Sequence, residues 1–211
     1  MKTIRKTLIL LMAIICTSKI YAIEVQSYIV SNNNDTVYGT IKISKFNLLQ
    51  KTVSVTSYNT DELFYHLFFK SSSEKRYKEL FPADVKEYGF FLDNTPYRFI
   101  SIEEKPIITR HNRAKFYLQV AGGSINLFEY RTNVDYENQN QSTKNHSLKI
   151  REEYILSDDN KLVKVEDTGG SVSDFLLANI KLNKEILDKV CKDKSFKDMR
   201  EVIRLYNQYT N

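Results

Sequence analysis

The sequence predicts an α+β fold, a mainly antiparallel sheet (sandwich or curled sheet) followed by two or three short C-terminal helices. Three observations predict it. Apolar and polar residues alternate through the middle of the chain, as in "TVYGTIKIS", Thr36–Ser44, which is the period of a strand with one wet face. Trp is absent while Tyr numbers 14 and Phe 12, and such side chains suit half-buried strands. From Ser171 onward the apolar period lengthens to that of amphipathic helices.

The first 22 residues stand apart. "MKTIRKT" supplies Lys2, Arg5 and Lys6, "LILLMAIIC" is an apolar run, and "TSKIYA" ends on the small residue Ala22. That is the layout of a secretory signal peptide cleaved after Ala22. The apolar run falls short of the roughly 20 residues that a membrane-spanning helix needs. Cys16 follows Ile14 and Ile15, whereas a lipoprotein signal wants a small residue before its cysteine, so Cys16 reads as part of the apolar run. The segment's four cations account for +4 of the chain's +5, leaving +1 on residues 23–211. That balance gives no clustered basic face and speaks against nucleic-acid binding. Cys191 is the one cysteine beyond the leader, which excludes an internal disulfide and a thiolate metal site. No repeat or Pro/Gly-rich linker interrupts residues 23–211, so one β-rich domain with a helical part at 171–211 is expected.

Strands are expected at Glu24–Val30 and Thr36–Ser44 on either side of "SNNND", and at Lys51–Tyr58. "ELFYHLFFK", Glu62–Lys70, is apolar on both parities and its aromatics favour a buried strand over a short helix. "SSSEKRYKEL" reads as a polar connector and "FPADVKE" as a helical turn. "GFFLD" and "YRFISIE" form two strands around the turn "NTP", and "PIITR", Pro106–Arg110, is another short strand.

"FYLQVAGGSINLFEY", Phe116–Tyr130, reads as a hairpin turning on Gly122 and Gly123. A two-residue loop there pairs Val120 with Ile125 and Leu118 with Leu127, sorting apolar residues onto one face. The phosphate-cradle reading of Gly-Gly fails, because no Lys-Ser/Thr and no helix follow. "NVDYENQNQSTKNHS", Asn133–Ser147, is polar enough for an exposed loop, and "SDDN" divides a further hairpin. Ser171 with Asp174, Asn183, and Ser195 with Asp198 are helix-cap signals. Phe196, Met199, Val202, Ile203, Tyr206 and Tyr209 make one apolar helix face.

These pieces, above all "GTIKISKFN", "LFPADVKEYGFFLDNTPYRFISI", "KFYLQVAGGSINLFEY", "EEYILSDDNKLVKV" and "IRLYNQYTN", resemble a family of exported domains from Bacteroidetes-type bacteria. The family carries no assigned activity, so the resemblance implies no catalytic residue. In related proteins such a domain can precede an outer-membrane β-barrel; none is expected after "IRLYNQYTN". The resemblance also implies that "DTV", Asp35–Val37, is an O-glycosylation motif with Thr36 as acceptor, where the residues alone read as a turn entering a strand.

Candidate chemistry is sparse. His66 lies in an aromatic run and reads as a packed residue. "HNR" at His111 is similar to a nuclease triplet but has no second His or acid cluster at metal spacing, and His146 falls in the polar loop. The acid pairs 103–104 and 152–153 lie on strands, where adjacent side chains diverge, and 158–159 forms a turn. Cys191 sits among Ile186, Leu187 and Val190 and reads as core. No cofactor and no metal site is expected. The leading expectation is a non-catalytic interaction module of the periplasm or cell surface, whose partner is an envelope protein or glycan. No transmembrane segment is expected beyond the leader. One alternative is a secreted hydrolase of glycans or peptides. Another is a carbohydrate-binding module stacking sugars on Tyr97 or Tyr130.

Overall fold

The computed structural model describes residues 22–44, 61–104, 113–136, 146–167 and 169–210. Residues 1–21 of the expected leader, the strands expected at 51–58 and 106–110, and His111 lie outside the described residues. Ten strands form one antiparallel sheet: β1 (Ala22–Ser31), β2 (Thr36–Ser44), β3 (Leu67–Ser71), β4 (Lys78–Leu80), β5 (Val85–Leu92), β6 (Thr95–Glu104), β7 (Arg113–Ala121), β8 (Leu127–Tyr136), β9 (His146–Leu156) and β10 (Leu162–Lys164). Their spatial order is β10-β9-β8-β7-β6-β5-β1-β2-β3-β4. Three helices follow, α1 (Val172–Asn179), α2 (Lys184–Val190) and α3 (Met199–Thr210). The α+β class holds, with the helices after the sheet.

The connection from β4 to β5 dictates a curl. Four spacings separate these strands in the sheet order, about 19 Å if the sheet were flat. Only residues 81–84 join them, and these are drawn into a tight turn by the Asp84 N–H donating to the Phe81 carbonyl at 2.9 Å. A turn spans less than about 7 Å across its four residues. The first half of the sheet must therefore roll until β4 approaches β5. Gly39 permits the bend, since a Cβ there would stand 2.2 Å from the Lys70 carbonyl oxygen.

Two cores result. The first lies within the curl and is rich in rings, with Phe64, Phe69, Tyr88, Phe90, Phe99 and Phe116 all buried beside Ile41, Ile43 and Leu67. A 3-10 turn, Asp61–Phe64, plugs it, and its Leu63 carbonyl accepts from the Tyr88 hydroxyl at 2.5 Å. The second core is aliphatic. Leu127 and Ile155, opposite one another on β8 and β9, meet Leu176 of α1, Leu187 of α2, and Met199, Val202 and Ile203 of α3.

Several expectations need correction. "ELFYHLFFK" is divided between the 3-10 turn and β3, because its buried residues fill the curl before pairing begins. The connector "SSSEKRYKEL" includes β4. The turn before β6 is Asp93-Asn94, both at positive φ (49° and 61°), rather than "NTP". It is a two-residue primed turn. Pro96 therefore lies in β6 opposite Phe91, one pair beyond the loop, where an antiparallel ladder asks for no N–H between the two strands. The polar stretch 133–147 is not all loop: β8 continues to Tyr136 and β9 begins at His146, with Val134 opposite Leu148.

The Gly122-Gly123 register also differs. Leu118 pairs with Glu129 and Ala121 with Leu127, with an irregularity between Gln119 and Ala121, so 122–126 is a five-residue loop. The cause is tertiary. Asn207 of α3 is buried and grips the loop: its Oδ1 accepts the Ile125 N–H at 2.8 Å, and its Nδ2 donates to the carbonyls of Ile125 (2.8 Å) and Gly122 (3.3 Å). This draws Ile125 into the helical core and lengthens the loop. Gly123 has φ +147°, and a Cβ there would meet Asn207 Cγ at 2.8 Å.

The caps read from sequence are in place. Ser171 Oγ accepts the Asp174 N–H at 3.0 Å, Asn183 Oδ1 accepts from Glu185 (3.0 Å) and Ile186 (3.3 Å), and the Ser195 N–H donates to Asp198 Oδ2 at 2.9 Å. Helix N-termini leave such N–H groups without intrahelical partners.

Candidate interaction surface

Directly opposed residues in an antiparallel sheet share a face. Tyr38 of β2 opposes Tyr28 of β1, which opposes Gly89 of β5, which opposes Arg98 of β6. Phe91, two residues beyond Gly89, joins that face, which is the outside of the curl. Tyr38 and Phe91 are both 69% exposed. Strand spacing and rise place their positions about 12 Å apart on the same surface.

Gly89 is what lets the row lie flat. The Tyr28 ring rests on its backbone, and a Cβ at residue 89 would fall 2.6 Å from Tyr28 Cε1. An isolated glycine in a strand signals such close approach. The ring's tip enters a polar chain. Tyr28 donates to Glu87 Oε1 at 2.7 Å, Arg98 donates to Glu87 Oε2 at 2.6 Å and to Gln119 Oε1 at 2.8 Å, and Gln119 Nε2 donates to Asn126 Oδ1 at 2.9 Å. Burial pushes the Tyr28 phenol up to about 12, and Glu87 beside it adds to the shift. Burial acts to raise Glu87, but the hydrogen bonds from Arg98 and Tyr28 prevail and hold its carboxyl below the usual range. The network fixes side chains from four strands and the hairpin loop, giving the exposed rings a rigid base.

Next to this row, Tyr77 lies against β2 and β3. The ammonium groups of Lys42 and Lys70 stand 4.2 and 4.7 Å from its ring centre, and its hydroxyl is 3.0 Å from Thr40 Oγ1. A cleft of about 290 Å³ opens between Tyr77, Phe68, His66 and Glu62. His66 is no core residue: it is half-buried, its Nδ1 contacts Glu79, and its ring stacks on exposed Phe81 at 6.2 Å.

A second polar cluster joins sheet and helices. Glu129 is 1% exposed. It meets Arg131 Nε at 2.5 Å, Arg151 Nε at 2.8 Å, and Arg200 of α3. Glu153, directly opposite Glu129 across β8 and β9, receives Arg200 Nε at 2.5 Å. Burial, reinforced by the Glu129 charge, pushes the Glu153 carboxyl up despite Arg151 nearby. Two close carboxylates of different acidity have the form of an acid–base pair. Here both are bound to guanidinium groups, which makes the cluster a clamp between α3 and the sheet.

The residues singled out by sequence are scattered. Thr36 opens β2, exposed, after a turn closed by the Ser31 N–H donating to the Asp35 carbonyl at 2.9 Å. Tyr130 is not an exposed platform, since it is buried against Tyr117 with ring centres 5.3 Å apart. Tyr97 is half-buried and stacked on Phe90 at 5.0 Å. Glu152 and Glu153 part as strand neighbours should, Glu152 going to Lys164 at 2.9 Å. Asp158 accepts the Lys181 N–H at 2.9 Å and ties its turn to the helices. Cys191 caps α2 half-buried, and burial with help from Asp188 pushes its thiol up to about 11, far from a nucleophile's range. Among the described residues no group of three or more His, Cys, Asp or Glu is placed to hold a metal ion. Among the described residues, too, no helix is long and apolar enough to cross a membrane.

Sequence reasoning missed Tyr38, Phe91, the Tyr28–Glu87–Arg98 chain and the Glu129 cluster. Gly89 inside "EYGFF" was the available signal for the first group; nothing local marks the second. Comparison of the chain with protein-family models, curated proteins and solved structures found no match.

Proposed function

We propose that the protein is an exported, non-catalytic interaction module of the periplasm or cell surface, and that it holds an envelope protein or glycan on the outer face of its sheet. The observation that carries the reading is the pair of exposed rings, Tyr38 and Phe91, on a base locked by Tyr28, Glu87 and Arg98. Large aromatic and arginine side chains on a preorganised surface are the usual anchors of recognition. Export is supported by the layout of residues 1–22. Cleavage after Ala22 costs the strand one residue and leaves Ile23 paired with Ile43. The resemblance to exported domains agrees, and exposed Thr36 is accessible as a glycosylation acceptor.

The test is capture from an envelope extract by the wild-type protein and by a Tyr38→Ser/Phe91→Ser variant of equal thermal stability. The reading expects a partner retained by the first and lost from the second. Equal capture by both, or turnover of a glycan or peptide panel, contradicts it. A glycan is the second reading, favoured by two exposed rings about 12 Å apart on one sheet face; retention on immobilised polysaccharide distinguishes it.

A further inference from the structure

The far end of the sheet carries a different kind of site. β10 covers only Tyr154–Leu156 of the eleven-residue β9. One further bond, from the Val165 N–H to the Glu153 carbonyl at 2.8 Å, ends the ladder, and the chain leaves toward α1. Backbone groups of an edge strand alternate between facing its neighbour and facing outward. Glu153 faces outward, so Arg151 does too, and among the described residues no strand pairs with that side of β9 before Glu153. Unpaired N–H and C=O groups of this kind are a template for another strand.

The open edge is also the floor of a cleft of about 560 Å³, bounded by Ile150–Glu153, the end of β10 and the start of α3. Its charge is uneven. Arg151, Lys164, Lys197 and Arg200 line it against Glu152 and Glu153. Both carboxylates are already engaged, Glu153 by Arg200 and Glu152 by Lys164 and the Tyr154 hydroxyl at 2.9 Å, while Arg151 and Arg200 also hold buried Glu129 and Lys164 also meets Glu166 at 2.7 Å. Among the described residues Lys197 makes no salt bridge, and Arg151 is half exposed. An incoming strand would set the residue opposite Arg151 on the face that Arg151 shares with Glu153 and, through Glu153, with Arg200. A carboxylate suits that position.

We propose that β9 accepts an extended acidic peptide segment of a partner protein, added as a strand along Ile150–Glu152 with its acidic side chains toward Arg151, Lys197 and Arg200. This site is separate from the outer face and holds whether or not Tyr38 and Phe91 bind anything. Main-chain bonding gives such a complex its affinity, and alternate side chains give its specificity.

The test uses a fluorescein-labelled octapeptide alternating glutamate with valine, its lysine counterpart, and a glutamate peptide N-methylated at alternate residues. Anisotropy at low salt should show the glutamate peptide binding at least ten-fold tighter than either control. Lys197→Glu, an exposed change whose thermal stability is checked in parallel, should weaken it about ten-fold. Amide hydrogen exchange at Arg151 should slow on saturation. Equal binding of the lysine peptide, or undiminished binding of the N-methylated one, overturns the proposal. So does unchanged exchange at Arg151, or protection of that amide without peptide through pairing of two copies of the chain.

Discussion

The two cores of this sheet are filled by different chemistry. Within the curl, Tyr88 and Phe99 stack with ring centres 4.7 Å apart and planes 2° from parallel, and Phe64 meets Phe99 edge-on at 5.2 Å. Under the helices the filling is Ile125, Leu127, Ile155, Leu176, Leu187 and Val202. A sheet rolled on itself leaves a wide interior, and here, among the described residues, nine buried Phe and Tyr rings fill it together with aliphatic residues such as Ile41, Ile43, Leu67 and Leu118. A helix laid on a sheet leaves a thinner layer that branched aliphatic side chains fill in good rotamers. β8 serves both, giving Leu127 to the helical core and Phe128 and Tyr130 to the aromatic one.

That sharing makes cooperativity the point to attack. Phe99→Ala should have the largest effect, about 3–5 kcal/mol lost in denaturant unfolding. Leu176→Ala should cost about 2–5 kcal/mol from the other core. Both should lower one common transition, seen alike by tyrosine fluorescence and far-ultraviolet circular dichroism. A variant in which the helices melt ahead of the sheet would show that β8 does not couple the two cores. Asn207→Ala should cost about 1–3 kcal/mol, because it strands the N–H and C=O of buried Ile125. Hydrogen exchange should then speed up in the 122–126 loop before it does in β7 or β8.

A smaller effect separates the two polar networks. Glu87 titrates below its ordinary value of 4.5, so its stabilisation is present above that value and fades as pH falls through the lower folded one. Glu153 is shifted upward, so protonation between its raised value and 4.5 favours the folded state. Glu87→Gln should therefore flatten the loss of stability below about pH 4.5. Glu153→Gln should remove the opposing slope above it. Matching pH profiles for the two variants would contradict this assignment.

The elements legible in the sequence are those whose cause is local. β2 occupies Thr36–Ser44 as its alternation says, the "SDDN" turn lies between β9 and β10, and the caps at Ser171, Asn183 and Ser195 sit where hydrogen bonds need them. What the sequence hid depends on distant partners. Asn207 resets the register of a hairpin 82 residues away, and Arg200 joins Glu129 across 71. Residues 133–136 and 146–149 look like loop because these largely polar segments pair with each other, which no period of apolar residues reports. The outer face escaped for a related reason. Tyr38 shares its parity with Thr40 and Lys42, and Phe91 with Glu87 and Gly89; what the alternation does not report is that β2, β1 and β5 lie side by side and bring the two rings onto one surface.

The most direct measurement of the account's central claim is a footprint of that side. Hydroxyl-radical labelling of the protein, alone and with its captured partner, reads the exposure of each ring. The account expects Tyr38 and Phe91 to be protected by the partner while exposed Tyr209 on α3 is labelled as before. Full labelling of Tyr38 and Phe91 in the complex would contradict it.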